Sequence, residues 1–257
     1  MFPESVINKN IMKKKVFFIH VPKTAGSSFN AFLAENLVGD AHCEKYLDLQ
    51  ARTFRNPVKI REFDYISGHL NFTDFQANGF NRNDYFMMTI LRDPVKQLIS
   101  HINWVIHIFD VGEDFFKGHP KIIQDMSLEL RSLDLNDPAQ LIPALQKHAG
   151  LFQNNQAKYF RDEQGRFDAQ IAIDNITTLD LVGLTEEYES SVRKFIAMND
   201  CEMAFSLHRK NRNLKYRLKP ETLLSNKEVK HFMENYNKID AEIYMFAKQH
   251  FKSLARV

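Results

Sequence analysis

Long apolar runs are missing from this 257-residue chain. No segment reaches the roughly 18 consecutive apolar residues that a membrane-crossing helix needs, so no integral membrane segment is expected. The opening stretch, Met1 to Lys15, ends in a basic cluster with no apolar core of its own, and it does not read as a secretion signal. Cysteine is nearly absent too. Cys43 and Cys201 stand far apart without a Cys-x-x-Cys, which supports neither a disulfide framework nor a zinc site. Charge of one sign is also lacking. A net charge of +2 gives no general polyanion signal, so nucleic acid is not an expected partner. What remains is an ordinary soluble composition, 44% hydrophobic and 26% charged, long enough for one large domain with a sizeable core. The 22 phenylalanines read first as core packing, against a single tryptophan, Trp104.

The most informative segment that is present runs from Lys15 to Phe29. An apolar strand, Val16 to Ile19, stops at a turn, and a helical pattern follows through Phe29, Phe32, Leu33 and Leu37. Between them lie Lys23, Thr24, Ala25, Gly26, Ser27 and Ser28. A strand, a tight loop and a helix N-terminus aim amide N–H groups and partial positive charge at one point, which favours a bound anion. Lys23 adds a full charge and the hydroxyls add donors. The order is not that of a Walker loop, where lysine follows the glycines. An ordinary β-to-α turn with Ser27 or Ser28 as N-cap would use some of the same residues.

Two further segments belong with this loop. Tyr85 to Leu91 reads as a buried strand that ends at Arg92-Asp93-Pro94. Asp93 suits a helix cap and Pro94 a first turn, and the helix continues through Val95, Leu98, Ile99, Ile102, Val105, Ile106 and Phe109. Ser100 lies about two turns along it, so Arg92 and Ser100 can meet one anion. The planar fork of an arginine suits phosphate, although arginines also pair with carboxylates. Upstream, Asp64 to Phe72 sets a short strand before Gly68 and His69. Histidine titrates near neutrality and can serve as a base, but ten histidines are present and composition alone selects none.

Taken together, Pro22-Lys-Thr-Ala-Gly-Ser-Ser28, Arg92-Asp-Pro94 with Ser100, and Gly68-His69 resemble the motifs of sulfotransferases that use 3′-phosphoadenosine 5′-phosphosulfate. The likeness is to the carbohydrate type, the heparan and uronyl 2-O-sulfotransferases and their bacterial relatives. It implies that Lys23 to Ser28 hold the 5′-phosphosulfate and that Arg92 and Ser100 hold the 3′-phosphate. It also implies that His69 takes the proton from an acceptor hydroxyl while Lys23 steadies the leaving phosphate. The implied product is adenosine 3′,5′-bisphosphate, the acceptor a sugar or other hydroxyl compound, and no metal is required. Phe152 to Phe160 is similar to the family's asparagine–glutamine segment, and Leu181 to Tyr188 to its late strand and Gly-x-Thr-Glu turn. Leu207 to Asn213, with Arg209, Lys210, Asn211 and Arg212, resembles a basic loop that folds over the nucleotide, or else is a solvated turn. Ser190 and Ser191 remain open as nucleotide contacts.

Strand patterns at 16–20, 64–68, 85–91 and 179–184 alternate with helical ones at 27–37, 94–109, 186–199 and 226–252. This alternation predicts an α/β fold with a central parallel sheet flanked by helices, and the resemblance implies a P-loop-NTPase-like sulfotransferase fold. Thr185 is expected to cap the third helix, and Ser225 to Glu228 to form a capping box on the last. A single domain over 1–257 is expected, with a tail at 1–14 and a helical insertion at 110–165 that shapes the acceptor cleft. The absence of a membrane anchor, unlike the animal members, points to a cytoplasmic, prokaryotic setting. Two other classes share a phosphate cradle: a magnesium-dependent kinase using adenosine triphosphate, and a non-catalytic nucleotide- or glycan-binding protein. Oligomeric state is not legible.

Overall fold

The computed structural model describes residues 13–38, 42–47, 57–201 and 218–253. The first half contains β1 (Lys15–Ile19), α1 (Gly26–Leu33), β2 (Cys43–Leu47), α2 (Pro57–Ile60), β3 (Tyr65–Gly68), α3 (Phe72–Ala77), β4 (Tyr85–Leu91) and α4 (Pro94–Val111). There follow α5 (Glu113–Lys117), α6 (Lys121–Ser132), α7 (Pro138–Lys147), α8 (Ala149–Phe152), α9 (Ala169–Thr177) and β5 (Leu181–Leu184). The chain then forms α10 (Tyr188–Met198), α11 (Pro220–Ser225), α12 (Lys227–Tyr236) and α13 (Lys238–Ser253).

The five strands form one sheet in the order β2-β3-β1-β4-β5, and every pairing is parallel. Both faces are covered, which is why β1 and β4 are near-continuous apolar runs rather than alternating ones. Val16 and Phe18 of β1, with Phe86, Met88 and Ile90 of β4, pack on Phe29, Phe32 and Leu33 of α1 and on Val192 and Phe195 of α10. Phe17 and Ile19, with Met87 and Leu91, face Phe75 of α3, Ala172 and Ile176 of α9, and Ile243 and Ala247 of α13. Each fully buried phenylalanine here contributes about 1.5–3 kcal/mol of transfer free energy. A second core joins α4 to the helical region through Leu98, Ile102, Met126, Leu130, Leu141, Leu145, Phe152, Val229 and Met233.

The α/β class with a parallel sheet and flanking helices is as expected, and the 110–165 region is built from α5 to α8 and short turns. Pro94 opens α4, and the Asp93 carboxylate accepts from Lys96 N at 3.0 Å, as its sequence position predicts. Other expectations need correction. β2, Cys-Glu-Lys-Tyr-Leu, was not anticipated; it is an edge strand, and edges carry charge rather than an apolar run. The 226–252 helix is two helices, interrupted at Asn237. The Asn237 side-chain oxygen accepts from Asn154 N at 2.7 Å, while the Asn154 oxygen accepts from Ile239 N at 3.1 Å. This exchange diverts the backbone although the apolar period runs straight through. Asn226, not Ser225, caps α12, accepting from Glu228 N and Val229 N. Glu187 rather than Thr185 stands at the N-cap of α10, and Ala25 rather than Ser27 or Ser28 at that of α1. Among the described residues, no helix is long and apolar enough to cross a membrane.

Candidate active site

β1 stands inside the sheet between β3 and β4, and the chain leaves its carboxyl end through His20 to Ala25 into α1. Crevices at the carboxyl ends of such strands are where open α/β sheets take ligands. The turn is tight. Lys23 and Ala25 both adopt left-handed backbone conformations, with φ of 67° and 72°, a state costing of order 1–3 kcal/mol in a non-glycine residue. The surroundings hold it in place. The Thr24 hydroxyl donates to Val21 O at 2.8 Å, Arg92 Nη1 to Lys23 O at 3.0 Å, and Gln97 Nε2 to Pro22 O at 2.9 Å. The first amide groups of α1 have no acceptors within their own helix and are the natural donors to an anion.

Gly26 has a separate reason to lack a side chain. A Cβ there would lie 2.1 Å from Cδ2 of the buried His20 ring. Gly26→Ala therefore forces either His20 or the first turn of α1 to move. We expect a destabilisation of about 1–3 kcal/mol, as for overpacked cores, together with lost anion affinity; urea unfolding and phosphate titration would measure the two.

Arg92 reaches the same loop from the end of β4. Its backbone is bracketed by Gln156, whose Oε1 accepts from Arg92 N at 2.9 Å and whose Nε2 donates to Arg92 O at 2.8 Å. Gln156 is positioned in turn by Asp240 of α13. One oxygen of this buried carboxylate accepts from Gln156 N at 3.0 Å, the other from Ala157 N at 2.8 Å. Burial pushes the Asp240 carboxyl up to about 6, against the lowering effect of those two amides. An asparagine at 240 can accept from only one of the two amides. Asp240→Asn is thus expected to cost about 1–3 kcal/mol in unfolding experiments and to weaken anion binding through Arg92.

The cleft is electrostatically one-sided. Burial and the neighbouring Arg92 guanidinium lower the Lys23 ammonium to about 8. Arg92 Nε is buried and has no hydrogen-bond partner among the described residues. No carboxylate stands among the described residues that line the cleft. Two cations pressed together, with no counter-charge among the described lining residues, can serve as the donor set for an anion.

His69 follows β3 on the other flank of β1. Its Nδ1 lies 2.8 Å from the carbonyl oxygen of His20. A carbonyl can only accept, so Nδ1 carries the proton and Nε2 carries the lone pair, which is the tautomer a base requires. The His20 and His69 rings lie 4.8 Å apart, and Tyr159 approaches His69 edge-on at 6.5 Å. His20 and His101 are both buried and held neutral, each lowered to about 3, chiefly by burial.

A cleft of about 780 Å³ unites these elements. Lys23, Ala25, Gly26, Ser27, Ser28, His69, Arg92 and Ser100 all line it. Thr24 does not: it is buried, and its hydroxyl is turned into the loop on Val21. Ser191 is also withdrawn, bonded to Leu184 and Glu187. Arg209, Lys210, Asn211 and Arg212 lie outside the described residues. Residues that sequence reasoning did not single out for the site include Thr185, whose buried hydroxyl finds no partner among the described residues, and Asn155. Asn155 fell in a segment already singled out for its family likeness, which was the available signal; Thr185 read as a cap.

No protein-family model matches the chain, and neither does any curated protein. Among solved structures it is similar to a sulfotransferase from Alicyclobacillus acidocaldarius, with 13% identity and a TM-score of 0.45, over 94% of this chain and 100% of that one. It is also similar to mouse sulfotransferase SULT7A1 complexed with PAP, with 11% identity and a TM-score of 0.41, over 92% of this chain and 89% of that one. Likeness of fold at this level assigns no residue its role.

Proposed function

We propose that the chain is a sulfotransferase that moves a sulfuryl group from 3′-phosphoadenosine 5′-phosphosulfate to an acceptor hydroxyl. The observation that carries this reading is the cleft itself: among the described residues, two cations and no carboxylate in its lining, beside a histidine in the basic tautomer. In this reading the amides of α1, Ser27, Ser28 and Lys23 hold the 5′ end of the nucleotide. Arg92 and Ser100 hold its 3′-phosphate, which would account for a buried guanidinium nitrogen that finds no partner among the described residues.

The roles of the residues follow from their chemistry. His69 Nε2 takes the acceptor proton as the hydroxyl oxygen bonds to sulfur. The bond between sulfur and the bridging phosphate oxygen breaks in line, and that oxygen keeps the electron pair. Lys23 and the helix terminus stabilise the charge that grows there, the kind of preorganised contact worth about 3–4 kcal/mol per donor. The products are a sulfate ester and adenosine 3′,5′-bisphosphate, with the proton on His69 released afterwards. The sequence resemblance adds that the acceptor hydroxyl belongs to a carbohydrate or glycolipid.

A transfer assay decides between this and the kinase reading. We expect label to move from ³⁵S-labelled donor to an alcohol acceptor equally well with and without a magnesium chelator. Transfer from γ-labelled adenosine triphosphate that the chelator abolishes would replace the proposal with a kinase.

A further inference from the structure

The cleft has a second half that the nucleotide contacts leave unused. Helix α4 carries both halves on one face, since Trp104 lies one turn beyond Ser100 and both line the cleft. Phe115 of α5, Ile123 of α6, Leu151 of α8 and Tyr159 line the same cleft. His119 bridges two of these rings, 5.5 Å from Trp104 and 4.8 Å from Phe115, with its Nδ1 donating to Phe115 O at 2.7 Å. His101 sits between Trp104 and Phe152, at 5.9 and 5.4 Å, and is held neutral by burial. Among the described residues, Lys23 and Arg92 are the only lysine or arginine in the lining, and both face the phosphate loop.

We infer that the acceptor is an uncharged hydroxyl compound with an apolar body, a ring or aliphatic chain, seated against Trp104. The inference rests on the sulfotransferase reading for the identity of the reaction, but it draws on different residues. An acidic glycan needs cations for its carboxylates and hydrogen-bond partners for each buried hydroxyl, since an unmatched one costs about 1–3 kcal/mol. Among the described residues, this part of the lining is mainly aromatic and aliphatic carbon, with His119 and Asn155 as neutral polar groups, which favours apolar area removed from water. Phe115, which lines the cleft, is 45% exposed. Tyr159, whose ring lies 6.5 Å from that of His69, lines the same cleft as Trp104, so the wall and the base share one cavity.

The test uses the protein's sole tryptophan as its reporter. With adenosine 3′,5′-bisphosphate bound, Trp104 emission is titrated with 1-octanol and, separately, with an unsulfated uronic-acid tetrasaccharide. We expect a saturable shift with 1-octanol, at least about tenfold tighter than any response to the tetrasaccharide, a difference of about 1.4 kcal/mol. Leu151→Asp and the more exposed Phe115→Ser should each weaken the 1-octanol response while affinity for the bisphosphate, measured by calorimetry, holds. A tighter tetrasaccharide response, or bound nucleotide with no saturable 1-octanol response, would overturn the inference. Loss of bisphosphate binding with the 1-octanol response intact would instead overturn the donor reading and uphold the apolar pocket.

Discussion

Replacing His69 with alanine is expected to lower turnover by on the order of 10²–10⁴-fold, the usual contribution of a positioned general base. The affinity for adenosine 3′,5′-bisphosphate should be unchanged. The split is the informative part. His69 is bonded through Nδ1 to the His20 carbonyl and follows β3, whereas the groups proposed to hold the nucleotide come from the β1–α1 turn, α1, β4 and α4. A hydroxyl is a weak nucleophile at neutral pH, so removing the base slows the chemical step and spares the donor complex. His69→Gln tests the same point, because its amide can reproduce a hydrogen bond without accepting a proton. Wild-type turnover in either variant, measured under donor saturation, would remove His69 from the mechanism.

Lys23→Ala should produce the other large effect, acting on both binding and chemistry. Loss of a charge-assisted contact to the nucleotide costs about 1.5–3 kcal/mol. Loss of a donor to the departing oxygen lowers turnover by on the order of 10²–10³-fold. A pH signature separates this from simple loop damage. The Lys23 ammonium is lowered to about 8 by burial and by Arg92, so it is cationic below that pH and neutral above it. Anion affinity should therefore fall as pH rises through about 8 in the wild type. Bound anion favours the charged lysine and raises its pKa, so the free protein sets the onset of the fall. In Lys23→Ala that step should vanish. A calorimetric series from pH 6.5 to 9.5 on both proteins would show it, and an equal step in both would place the titration elsewhere.

How much of this was legible beforehand depended on where the determining contacts lie in the chain. β1, β4 and the start of α4 could be read because their signals are local: an apolar run, then Asp93 capping and Pro94 opening the helix. The cluster of Lys23, Ser27, Ser28, Arg92, Ser100 and His69 in one cleft was also foreshadowed, through motif likeness rather than through spacing. The left-handed turn at Lys23 and Ala25 was not, since it is held by Arg92 and Gln97, residues 69 and 75 positions from their partners. The same is true of the break at Asn237, which Asn154 imposes from 83 positions away. His20 reads in sequence as a strand end, yet its carbonyl orients His69 and its ring forbids a side chain at Gly26. The Gly26 requirement depends on a side chain six positions earlier that only the folded turn brings overhead.

Calorimetric titration of the purified protein with adenosine 3′,5′-bisphosphate, run beside adenosine 5′-monophosphate, tests the central claim most directly. If Lys23 with the α1 terminus grips one phosphate and Arg92 with Ser100 the other, the bisphosphate binds one-to-one and at least about tenfold more tightly than the monophosphate, as two charge-assisted contacts require. Equal affinity for the two nucleotides, or no heat with either, would contradict it.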